Sequence, residues 1–157
     1  MVVTRSPVQL MRLALEVASS GSPNDLPIAA LIADSDGSVI GSSKNCVVAN
    51  GQVTAHAELV TLESVGLAWL KNKGEHMTIV VTLEPCPMCA WAIRSAGIGR
   101  LVFGAHNPQY GAAGSVYDLM RDSRHGRGVE VIGGVLEKEC QLLLGDAFSH
   151  IRNNGPR

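Results

Sequence analysis

No stretch of this sequence approaches the ~20 consecutive apolar residues that a helix needs to cross a bilayer, although 46% of its residues are hydrophobic. The opening M-V-V-T-R-S-P has no charged segment followed by an apolar run, so no secretory signal is read there. A membrane role is therefore not expected, and the cytoplasm is the expected compartment. Cysteine is sparse: the four, at positions 46, 86, 89 and 140, make no disulfide framework in a chain of 157 residues. Net charge is nearly absent, −1 in all, which argues against a nucleic-acid partner held by electrostatics alone. Repeats and low-complexity segments are missing. What remains is a chain long enough for one sizeable core and too short for two ordinary ones, so 1–157 is expected to be a single domain.

The small charge is unevenly spread. Residues 1–93 carry five Lys or Arg against eight Asp or Glu, and residues 94–157 carry eight against six. Arg121, Arg124, His125 and Arg127 cluster in R-D-S-R-H-G-R, which is either a phosphate-facing loop or a solvated surface.

Ser6-Pro7 predicts a helix start, with Val8, Met11, Leu15 and Ala18 on one face up to Gly21. The apolar run Pro27–Ala33, a turn at Asp36-Gly37 and a strand through Val39 and Ile40 predict a hairpin. A loop through Asn50-Gly51 leads to a helix capped by Thr54 and stopped by Gly66. Strand Ile79–Leu83, a helix from Pro87 to about Ala96, strand Arg100–Ala105, a short helix near Met120, strand Val129–Ile132 and a helix from Glu137 complete the pattern. Strand-helix-strand passages imply parallel crossovers. The expected fold is α/β, a three-layer α/β/α sandwich around a five-stranded mixed sheet.

The chemistry gathers at two places. Cys86 and Cys89 sit three apart at a helix start, where the positive end of the dipole favours thiolates. Thirty residues upstream lies Thr54-Ala55-His56-Ala57-Glu58, and H-x-E followed by P-C-x-x-C is the signature of zinc deaminases. His56, Cys86 and Cys89 are the expected ligands of one Zn²⁺, whose fourth position stays open to water as in catalytic sites. Glu58 is the expected proton carrier: it takes a proton from water, delivers one to the ring nitrogen and another to the departing ammonia. The competing reading is a closed structural site in which Cys46, His76, His106 or Cys140 is a fourth ligand.

T-A-H-A-E (54–58), T-L-E-P-C-P-M-C-A (82–90), R-L-V-F-G-A (100–105) and G-A-A-G-S (111–115) together resemble the bacterial tRNA-specific adenosine deaminases, of the cytidine/deoxycytidylate deaminase superfamily. The likeness runs from Leu10 to Phe148. It implies a cytidine deaminase-like fold, conversion of adenosine to inosine at the wobble position in a tRNA anticodon stem-loop, and a homodimer with one zinc per subunit. It also implies a substrate site of Asn45, Ile28, Ala57, Leu83, Asn107 and Phe148, with Asn45 holding the base. Asn107 stands where such enzymes commonly carry an Asp near the ribose, and Trp91 where they carry a small residue near the dimer contact. A side-chain amide suits adenine because it both donates and accepts. The alternatives are deamination of a free nucleobase or nucleoside such as guanine or cytosine, and a catalytically silent RNA-binding subunit. Arg121, Arg124, Arg127 and Arg152 on one surface beside the zinc would favour RNA; their dispersal would favour a small substrate.

Overall fold

The computed structural model describes residues 4–154, and side chains up to residue 149. Helix α1 (Pro7–Ser19) starts as the sequence predicts. Ser6 Oγ accepts from the Gln9 amide, Gln9 reaches back to the Ser6 amide, and Pro7 fills the first position. Its buried face is Leu10, Met11, Ala14 and Ala18, while Val8 is exposed. The expected stripe was thus partly offset, because Leu10 rather than Val8 points at the sheet.

Strands β1 (Ala29–Ala33) and β2 (Val39–Lys44) form the hairpin, with Gly37 at φ 82° in its turn. A one-turn helix, α2 (Val47–Asn50), lies where a plain loop was expected, ending on Gly51 in the left-handed conformation. Helix α3 (Ala57–Val65) is followed by α4 (Leu67–Lys73), which sequence reading left unassigned. Then come β3 (Thr78–Leu83), α5 (Pro87–Ser95), β4 (Arg100–Ala105), β5 (Glu130–Ile132) and α6 (Glu137–Asn154).

The sheet order is β2-β1-β3-β4-β5. Strand β1 is antiparallel to both neighbours, and β3, β4 and β5 run parallel. β2 and β3 therefore point the same way, although β1 separates them. Every residue of β1 is buried, which explains its unbroken apolar run. Alternate residues face opposite layers: Ala30 and Ile32 join Ile79, Leu101, Leu62 and Ile93 on the α3–α5 side, while Leu31 and Ala33 join Val80, Val102, Met11 and Leu144 on the α1–α6 side. This is the expected three-layer arrangement.

No α-helix forms at Met120 itself; the short helix expected near it is a 3₁₀ helix three residues on. Residues 119–121 turn, and a 3₁₀ turn spans Ser123–His125. The physical reason is Arg94, buried on α5. It donates to the carbonyls of Leu119 (2.6 Å), Met120 (3.1 Å), Asp122 (2.8 Å) and Gly126 (3.1 Å), drawing them away from helical partners. Among the described residues no helix is long and apolar enough to cross a membrane.

Candidate active site

Because β2 and β3 share a direction, the helices that follow them, α3 and α5, start at the same end of the sheet. His56, not Thr54, is the residue at the N-terminal cap of α3, with extended backbone (φ −68°, ψ 146°) and no side-chain capping bond. Thr54 instead lies in a turn in which the Ala55 amide donates to Gln52 and the His56 amide to Thr54. The imidazole is turned toward the cysteines instead of capping the helix. Cys86 caps α5 with Pro87 at the first position, and Cys89, one turn on, is fully buried.

His56 Nδ1 lies 3.4 Å from Cys89 Sγ and 3.8 Å from Cys86 Sγ, and all three candidate donor atoms fall within 4.8 Å of one another. Zinc bonds of ordinary length arranged tetrahedrally put nitrogen and sulfur donors about 3.6 Å apart. The two measured separations bracket that edge, so this donor set fits Zn²⁺, which is the cofactor of the site. Among the described residues no further His, Cys, Asp or Glu completes the cluster. The four proposed closers are engaged elsewhere: Cys46 with the Lys44 carbonyl, His76 with Glu75, His106 with Glu137, and Cys140 in the core on the far side of the sheet.

The Cys89 thiol hydrogen-bonds Cys86 and brings it down to about 5, whereas that same bond, together with burial, pushes Cys89 up. Cys86 and Cys89 would hold a divalent ion as thiolates, the binding form, so metal uptake here would release the remaining proton. Glu58, 4% exposed, is in the first turn of α3. Burial pushes its carboxyl up to about 7, with the Cys86 charge adding to the rise and the Glu58 amide and His56 acting against it.

A cavity of about 610 Å³ opens beside these residues. Ile28, Asn45, Ala57, Leu83, Asn107 and Phe148 all line it, together with His56, Glu58 and Cys86. Asp25, Val47, Val48, Gln109 and Tyr110, which the sequence did not point to, also stand in the wall, as do Asn24, Leu26 and Glu84. Asp25 is 4% exposed and accepts from the amides of Val48 (2.7 Å) and Ala49 (3.0 Å), which fixes α2 beside Asn45. No motif announced it, because its partners are backbone groups across a hairpin. Asn107 uses Oδ1 to accept from the amides of Gln109 (3.2 Å) and Tyr110 (3.0 Å).

The Glu84 carboxylate accepts from the amides of Asn107, Ala113 and Ser115 and from the Ser115 hydroxyl. Burial raises this carboxyl, yet those donors together outweigh it and hold Glu84 below the usual 4.5.

The arginines do not gather at this cavity. Arg121 pairs with Asp118, Arg124 with Asp122, and Arg127 with Glu75 near the opposite end of the sheet. The side chain of Arg152 lies outside the described residues. None of the cavity's lining residues is Lys or Arg.

Known proteins match this chain on both sequence and shape. A tRNA-specific adenosine deaminase of Haemophilus influenzae is 36% identical over 92% of this chain and 84% of its own. The tRNA(Ile)-lysidine synthases of Deinococcus radiodurans and Deinococcus deserti are 39% and 38% identical, but this chain spans only 22% and 26% of their lengths. A solved structure from studies of A-to-I editing by tRNA:A34 deaminases at the wobble position of transfer RNA superposes with a TM-score of 0.77. It is 36% identical, covering 85% of this chain and 97% of that one. Residues 4–105, which hold His56, Glu58, Cys86 and Cys89, match the cytidine and deoxycytidylate deaminase zinc-binding region, and the chain belongs to that family.

Proposed function

We propose that this chain is a zinc-dependent hydrolytic deaminase that converts adenosine to inosine at the wobble position of tRNA, acting in the cytoplasm as a single deaminase domain. The observation that carries this reading is Glu58, buried in the first turn of α3 two residues from His56, on the wall of a cavity that His56 and Cys86 also line. The tRNA-specific adenosine deaminase relatives support the choice of substrate.

His56, Cys86 and Cys89 hold the metal, which when bound makes water acidic enough to act as a nucleophile near neutral pH. Glu58 takes one proton from the water and hands it to the purine ring nitrogen, then takes the second from the hydroxyl added to the ring carbon and hands it to the departing ammonia, so both protons come from the water. Asn45 meets the base with an amide that donates and accepts. Ile28, Ala57 and Leu83 give apolar walls against the ring, and Asn107 and Phe148 lie toward the flanking nucleotide. An anticodon loop base is the accessible form of the substrate, because a base inside a duplex must first be unstacked. In the homodimer that the family resemblance implies, Trp91 of α5, which is exposed here, would lie near the subunit contact.

The test is inosine formation in an anticodon stem-loop, read by nuclease digestion and mass spectrometry. Wild type is expected to convert it, and Glu58→Ala to keep its zinc while losing turnover. A stem-loop left unchanged by zinc-loaded wild type overturns the reading. One observation favours a second reading, deamination of a free base or nucleoside: the arginines are paired away from a cavity lined by no cation. Ultraviolet assay of free purines and cytosine separates the two. Glu58 beside an open ligand set stands against a silent RNA-binding subunit.

A further inference from the structure

Glu84 is 1% exposed, and donors from one loop fill both of its oxygens. The Asn107 amide donates to one oxygen at 3.0 Å, and the amides of Ala113 and Ser115 donate to the other, each at 3.0 Å. The Ser115 hydroxyl adds a fourth bond. Two backbone bonds run in parallel: the Glu84 amide donates to Ala105 at 2.8 Å, and the Ala112 amide to Pro85 at 2.8 Å. Gly111 is obligatory in this arrangement. A Cβ there would overlap the Glu84 carboxylate and come within 2.6 Å of the Asn107 carbonyl oxygen. The loop so held presents Asn107, Gln109 and Tyr110 to the cavity. On the other side of Glu84, one proline away, is Cys86.

We propose that Glu84 is a positioning residue for substrate recognition: its carboxylate fixes the 107–115 loop so that Asn107, Gln109 and Tyr110 stand in the cavity wall. It takes no part in metal binding or proton transfer. An ionised carboxylate is acceptor-only and matches four converging donors, whereas an amide would turn an NH₂ group against N–H donors. The inference rests on the chain being a deaminase of an RNA loop, and its test separates the two claims.

Zinc-loaded Glu84→Gln is assayed on the anticodon stem-loop. The expected result is a rise in KM of about tenfold or more, with kcat within about threefold of wild type. Metal analysis is expected to find zinc retained, and amide hydrogen exchange to quicken in 107–115 while 86–95 is unchanged. An unchanged KM, a fall in kcat alone, or loss of zinc overturns the proposal. Where Glu84→Gln fails to fold, Ser115→Ala and Gly111→Ala decide: a raised KM in both supports the assignment, and an unchanged KM in both overturns it. If wild type makes no inosine from RNA, the proposed function fails on its own. Exchange in 107–115 measured without substrate, with KM for whichever free base is turned over, then decides the role of Glu84.

Discussion

Removing the carboxylate of Asp25 should loosen the cavity without touching the metal. Cys46 at the start of α2 gives no capping bond, and Asp25 fills that role from before β1 by accepting from Val48 at 2.7 Å and Ala49 at 3.0 Å. A hydrogen bond to a charged partner contributes about 1.5–3 kcal/mol. Val48 is 60% exposed, so water replaces much of what Asp25→Ala removes. The expected net loss is about 2 kcal/mol, against about 1 kcal/mol for Asp25→Asn, which keeps one acceptor oxygen. Urea unfolding should report these losses as lower midpoints at constant slope, and Tm should fall by about 4–8 °C for Asp25→Ala. Because α2 carries Val47 and Val48 beside Asn45, kcat/KM should fall mainly through KM, with zinc content unchanged. If Asp25→Ala stays within about 0.5 kcal/mol of wild type and leaves KM where it was, the cross-chain cap is not what shapes this wall.

Replacing Cys86 with Ala should abolish zinc retention after dialysis against a chelator and remove activity with it, as read by metal analysis of the dialysed protein. Arg94→Met keeps the apolar stem but takes the guanidinium from four carbonyls between Leu119 and Gly126, of which only Met120 and Asp122 keep a backbone donor. A loss of about 3 kcal/mol in urea is expected, with proteolytic sensitivity appearing first in that segment. Glu84 has a folded value depressed below 4.5, so the stability it contributes is fully present above about pH 4.5 and is lost as pH falls through the folded value. The urea midpoint of wild type should therefore decline on acidification below pH 4.5 more steeply than that of Glu84→Gln.

Much of this molecule was legible in its letters because the relevant signals are local. Ser6-Pro7 and Gln9 spell a helix start, the apolar run before Asp36-Gly37 spells a hairpin whose first strand is buried, and His56, Cys86 and Cys89, with Glu58 beside them, spell a metal site. What stayed hidden depends on side chains that bond backbone atoms far along the chain. Arg94 displaces the short helix expected near Met120, and Asp25 caps a helix from before the hairpin. Glu84 has its partners beyond β4, at Asn107 and Ser115, where no neighbouring residue points. Thr54 looked the better cap than His56 because a capping preference does not register that an imidazole has other work two helices away.

The segment between Ala105 and Glu130 is pinned from beneath by two buried charges of opposite sign, and apart from one serine hydroxyl both grip only main-chain atoms. Its outward side chains are thus free to drift without altering its course. A lineage can exchange Gln109 or Tyr110 and try new substrates on an unchanged scaffold, so long as the glutamate, the arginine and Gly111 remain.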